Sequence, residues 1–76
     1  MDRLSDLRPG QRGVVARVEG GGAMARRLAD LGLLPGAAVF CTALAPAGDP
    51  AAYLIRGAVV ALRQRDGARV LLEGEP

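Results

Sequence analysis

The side chains able to do covalent or acid–base chemistry are few in this chain, and none has a partner at working spacing. There is no histidine. The single cysteine, Cys41, lies in an apolar run, where a thiol lacks the base or positive charge that makes it a nucleophile. Ser5 and Thr42 have no evident base beside them. The carboxylates Asp6, Glu19, Asp30, Asp49 and Asp66 are scattered singly, whereas general acid–base and metal chemistry draws on clusters of carboxylate, histidine or cysteine. These residues predict no catalytic, cofactor-binding or metal-ligating site, and hence a protein that is not an enzyme. Gly20-Gly21-Gly22 precedes a helix, whose first N–H groups can hold an anion. No Gly-Lys-Ser/Thr and no Gly-x-Gly-x-x-Gly accompanies it, so a flexible connector is the expectation.

The elements that must carry these residues are short. Leu4 to Leu7 can form one helical turn with Ser5 as its cap. Val14 to Val18 reads as a strand with Val14, Ala16 and Val18 on one face. Residues Ala23 to Leu31 form the only convincing helix, with Met24, Leu28 and Leu31 along one apolar stripe. Gly32 is placed to take the left-handed position after its end, and Pro35 bars continuation. Strands follow at Ala37–Ala45, Ala52–Arg56 and Ala58–Arg63, the last two joined by a tight turn at Gly57. Gln64 to Gly67 is a turn or 3₁₀ piece, Arg69–Glu73 closes the sheet, and Gly74-Glu75-Pro76 frays. In Ala45-Pro46-Ala47-Gly48-Asp49-Pro50, Gly48 can take a positive φ, Asp49 can bond nearby backbone N–H groups and Pro50 fixes the turn.

Seventy-six residues make one domain, residues 1–76. A chain of this size buries roughly 60–65% of its unfolded surface and is stable by only about 3–5 kcal/mol. Five short strands and one helix are economically arranged as a small, strongly bent barrel, because closure removes exposed edges. Its core is expected to hold Val14, Val18, Leu28, Leu31, Val39, Cys41, Leu54, Val60, Leu62 and Val70. The lone cysteine fits a reducing compartment. No apolar run reaches the roughly 18 residues of a membrane span, and the N-terminus does not read as a signal peptide; a soluble, cytoplasmic protein without membrane insertion is expected.

The net charge of +2 comes with ten arginines and no lysine. Arg26-Arg27 lies on the helix, with Arg27 able to pair with Asp30 three residues on. The helix and its leucine-rich exit supply more apolar groups than one face can bury, so Leu33 or Leu34 is expected to be exposed and to contact a partner. Arg27, Leu31, Leu33 and Leu34 are the candidate partner-binding residues.

The chain resembles the FeoA family of ferrous iron transport over nearly its whole length. The resemblance runs from Leu4-Ser5-Asp6-Leu7-Arg8-Pro9-Gly10-Gln11 through Arg26-Arg27-Leu28-Ala29-Asp30-Leu31-Gly32-Leu33-Leu34-Pro35-Gly36. It continues through Ala45-Pro46-Ala47-Gly48-Asp49-Pro50 to Arg56-Gly57 and Ala61-Leu62-Arg63. It implies a mainly β fold, an SH3-like barrel of about five strands with a helix inserted after the first. It also implies a cytoplasmic accessory protein that binds the cytoplasmic GTPase domain of a FeoB-type transporter. Transition-metal binding attaches only to the family as a whole. Ala47, Ala51 and Ala52 stand where the family often has larger apolar residues, which shrinks the apolar surface around Gly-Asp-Pro.

Other readings meet obstacles in composition. An SH3-type adaptor for proline-rich ligands needs an aromatic-lined groove, and Phe40 and Tyr53 are the only aromatics. A nucleic-acid barrel would use the arginines but lacks stacking platforms, so no nucleic acid is expected. The same fold occurs in iron-dependent repressors, but this chain would need a separate DNA-binding partner to act as one. An apolar surface on so small a barrel leaves room for self-association.

Overall fold

Turns decide where each strand of this chain begins. The computed structural model describes residues 2–74; the fraying expected at Glu75 and Pro76 falls outside the described residues. In chain order, a 3₁₀ turn at Leu4–Asp6 precedes strand β1 (Arg12–Val18), helix α1 (Gly22–Asp30) and strand β2 (Ala38–Leu44). Strands β3 (Ala51–Ile55) and β4 (Ala58–Leu62), the one-turn helix α2 (Gln64–Gly67) and strand β5 (Val70–Leu72) complete it. The first turn is not capped by Ser5: the Arg3 N–H donates to the Asp6 carboxylate at 2.9 Å. The Gly20–Gly22 connector is held in place by Arg69, whose guanidinium donates to the Glu19 and Gly21 carbonyls.

The end of α1 follows from Gly32. Its φ of +107° suits a residue without Cβ. Its N–H donates to Ala29 O at 2.9 Å and the Leu33 N–H to Leu28 O at 3.1 Å. Those are the two bonds of a Schellman motif, which brings the residue after the glycine onto the last turn of the helix. Leu33 is therefore buried with Leu28, which corrects the expectation that it could be an exposed leucine. Leu34, one residue on, is 43% exposed.

The strands form one antiparallel sheet in the order β4-β3-β2-β1-β5. Arg56 and Gly57 join β3 to β4 with φ of +51° and +84°, the two positive angles that match a type I′ turn to the twist of a hairpin. Register shifts at Val15/Arg17 and Cys41/Ala43 mark bulges that bend the sheet. The 3₁₀ turn packs against α2 and against β5. The Tyr53 hydroxyl donates to Leu4 O at 3.4 Å, and a Cβ on Gly67 would stand 3.5 Å from Ser5 N. The Gly-Asp-Pro segment serves this junction too. The Asp49 carboxylate accepts the Gln64 N–H at 3.0 Å, and the Gln64 side-chain amide donates to Gly48 O at 2.8 Å. Asp49 thus caps the start of α2 across the fold, where the sequence had pointed to a neighbouring amide.

The core contains five of the ten expected residues in full: Leu28, Val39, Cys41, Leu62 and Val70. Val18, Leu31 and Val60 pack against it partly buried. Strand β3 is in the opposite phase to the one expected, and β1 is so ahead of its bulge, while Val18 beyond the bulge packs on the core. In β1 it is Val15, fully buried, that points inward, leaving Val14 half-buried; in β3 Tyr53 and Ile55 point inward and Leu54 outward. Leu4, Leu7, Leu33, Ala51 and Leu72 complete the interior.

Candidate functional site: an apolar groove on the outer sheet face

Pairing registers place four side chains in one row across the outer face of the sheet. Arg12 of β1 stands opposite Phe40 of β2, Phe40 opposite Leu54 of β3, and Leu54 opposite Val59 of β4. Because successive side chains in a strand alternate faces, the inward positions of Val39, Tyr53 and Ile55 oblige Phe40 and Leu54 to face out. Phe40 remains 39% exposed and Val59 66%. The exit of α1 rises beside this row: Leu34, Pro35 and Ala37, with Ala38, Phe40, Leu54 and Arg56, line a groove of about 520 Å³. That volume lies in the range of ligand-binding clefts. An exposed apolar concavity on a small protein is the usual mark of an interaction site.

Among the described residues, the charges in the groove's lining and on its Phe40 ring are cationic, Arg56 in the lining and Arg12 beside it. Arg12 lies over the Phe40 ring, 5.6 Å from the centroid, a favourable placement for a guanidinium on the ring quadrupole. Arg56 crosses Gly32, where a Cβ would come within 2.5 Å of its Cδ. Among the described residues neither arginine has a carboxylate within ion-pair distance; the recorded pairs join Arg3 and Arg17 to Glu19. Arg3 holds the Glu19 carboxyl below its usual range, with a smaller contribution from Arg17.

Of the four partner-binding candidates, Leu34 alone lines the groove. Arg27 is exposed on α1, away from the lining; Leu31 is half-buried against the core; Leu33 is interior. The structure adds Phe40, Leu54, Arg56 and, at the sheet margin, Val59, none of which was among the partner-binding candidates; Leu54 had been expected in the core. Their alignment depends on strand register, which no local spacing encodes.

Two side chains with reactive potential, Cys41 and Tyr53, lie in the interior. Burial pushes the Cys41 thiol up, away from the thiolate that would attack or ligate. Burial likewise raises the Tyr53 phenol to about 12. Among the described residues no three of histidine, cysteine, aspartate and glutamate come together in a way that would hold a metal ion. No helix among them is long and apolar enough to cross a membrane. With Tyr53 interior, Phe40 is the one aromatic left for a proline-binding surface, fewer than such grooves use.

A family model described as the FeoA domain matches residues 3–74. The chain is 37% identical over 71 residues to an Fe(2+) transport protein A/Fe(2+) transporter FeoB fusion protein of Porphyromonas gingivalis. That match covers 93% of this chain and 8% of the fusion protein. In three dimensions it is similar to the FeoA protein of Chlorobium tepidum, at 34% identity and a TM-score of 0.86, over 93% of this chain and 68% of that one. It is also similar to the FeoA of Stenotrophomonas maltophilia, a zinc complex described as a prokaryotic SH3 domain protein. There the identity is 31% and the TM-score 0.85, over 96% and 91% of the two chains. The five-stranded barrel with its inserted helix is thus SH3-like, as the sequence resemblance implied.

Proposed function

Because this chain belongs to the FeoA family, whose model spans residues 3–74, we propose that it is a non-enzymatic, cytoplasmic accessory protein of ferrous iron uptake. It binds the cytoplasmic GTPase part of a FeoB-type transporter and supports its assembly or regulation. The observation that carries this reading is the Porphyromonas gingivalis relative, in which a region 37% identical to this chain is joined to a FeoB transporter in one polypeptide. Covalent fusion of two proteins makes sense where the separate chains would meet. The surface supports the same reading: a groove with an apolar floor of Phe40 and Leu54, a leucine at its rim and arginines beside it has the composition of a protein contact.

The test is titration calorimetry of this protein against the isolated cytoplasmic GTPase domain of its cognate transporter, with GDP and with a GTP analogue. Saturable binding in either nucleotide state supports the reading, and dependence on the nucleotide makes the role regulatory. An absence of heat with the soluble domain, repeated with the full transporter in detergent, overturns it.

A further inference from the structure

The two margins of the sheet are treated differently by the chain. At β5 the margin is covered: the Leu72 N–H donates to Asp2 O at 2.7 Å, and Arg3 bridges to Leu71. At β4, among the described residues, no backbone hydrogen bond is made other than those to β3. The Arg56-Gly57 turn closes on the Ile55–Ala58 pair. The alternation of an antiparallel ladder then leaves the N–H and C=O groups of Val59 and Ala61 directed to the open side. Proteins normally blunt such a margin with lysine, proline, a bulge or an inward charge. The β4 sequence Ala58-Val59-Val60-Ala61-Leu62 has none of these, and Val59 and Ala61 are exposed.

We propose that the open edge of β4 is a strand-addition site for an extended segment of another protein, apolar at its centre and acidic at its ends. Backbone groups of the segment pair with Val59 and Ala61, as in other β-augmentation complexes. Its outward side chains extend the Phe40–Leu54–Val59 row. The acidic ends follow from charge. Exposed arginines stand at both ends of the strand, Arg56 before it and Arg63 and Arg65 after it. Strands β1 to β4 carry no carboxylate at all, and the nearby Asp49 is occupied with the Gln64 N–H. The same charges disfavour a second copy of this chain, because antiparallel β4–β4 pairing would set Arg56 of one copy beside Arg63 of the other. A lipid surface cannot satisfy a row of paired backbone donors and acceptors. The proposal does not depend on which protein supplies the segment.

The probe is a short synthetic peptide of alternating valines and threonines with glutamates at both ends, compared with the same peptide ended by lysines. Amide exchange is followed by NMR on the intact chain. The expected result is slowing of the Val59 and Ala61 amides by about tenfold or more on adding the acidic peptide, with the lysine-ended peptide binding at least about tenfold more weakly. Val59→Pro removes one outward donor without touching the ladder to β3 and should weaken binding by a similar factor. The exchange measurement needs no variant, so it decides the matter even if V59P fails to fold. Unchanged exchange at Val59 and Ala61, equal binding of the two peptides, protection of these amides by self-association alone, or binding to phosphatidylglycerol vesicles without binding to the peptide would each overturn it.

Discussion

Replacing Gly32 by alanine tests how the exit of α1 is built, and its cost can be worked from two separable sources. The first is the backbone: at φ +107° an L-residue pays at least the left-handed penalty, about 1–2 kcal/mol. The second is space. The new methyl would stand 2.5 Å from Arg56 Cδ and 3.1 Å from Ile55 Cγ2. Arg56 is an exposed, flexible side chain and can swing away. Ile55 is fully buried and cannot yield without disturbing the core, an overpacking cost of about 1–3 kcal/mol. The sum, about 2–5 kcal/mol, is comparable with the whole stability expected of so small a domain, and corresponds to a fall in Tm of roughly 8–40 °C. Gly36→Ala is the control. Its φ is +89°, but a Cβ there meets nothing within 4 Å, so it should lose only the backbone share. Urea unfolding of both variants gives the difference directly. If G32A is no less stable than G36A, the packing argument fails. If the excess disappears when Arg56→Ala is added, the obstruction is Arg56 and not the core.

Leu34→Ala should lower stability by less than about 1 kcal/mol, since the side chain is 43% exposed, yet weaken binding of the transporter domain about tenfold. A melt that falls steeply with binding intact would refute the assignment of Leu34 to the contact. Asp49→Ala strips the acceptor from the Gln64 N–H and should cost about 1 kcal/mol in a thermal melt, with Asp49→Asn recovering most of it; a parental melt for the alanine variant would show that this bond does not hold α2. Tyr53 is the sole tyrosine in a chain without tryptophan, so phenolate absorbance reports it alone. Its folded pKa of about 12 is raised from 10.0, so the stability it contributes is complete below pH 10 and is lost as pH rises toward 12. Ionisation near pH 10 in the folded protein would contradict its burial.

The elements most legible in the sequence are those governed by a single residue's backbone. Gly32 ended the helix and Gly57 turned the hairpin where their types said they would. Strand phase was harder. Val14-Val15-Ala16-Arg17-Val18 and Ala52-Tyr53-Leu54-Ile55 are apolar at nearly every position, so alternation cannot say which face is inner. A bulge between Val15 and Arg17 further disrupts the period in β1. Tyr53 has the polarity of a surface residue, and is interior because its hydroxyl finds the Leu4 carbonyl, a partner 49 residues away. Leu4 and Leu7 were read only as a local turn, and they became core through the same long-range closure. The groove was invisible for the matching reason: Phe40, Leu54 and Val59 become neighbours only once three strands are in register. Leu34 was reachable because the surplus of leucines around the helix exit is a local fact, although sequence could not choose it over Leu33.

The cover that Asp2 and Arg3 provide over β5 also bears on how copies of this barrel can associate. With that cover in place, the described residues present one free margin, at β4, and two copies joined through it, against the repulsion of Arg56 and Arg63, would make a closed pair with twofold symmetry. Without it, the two ends of the sheet would be different and both open. Joining β4 of one copy to β5 of the next is a heterologous contact, which repeats without limit unless its rotation happens to close a ring. Two residues at the start of the described chain thus separate a protein that can at most pair from one whose geometry permits a fibre.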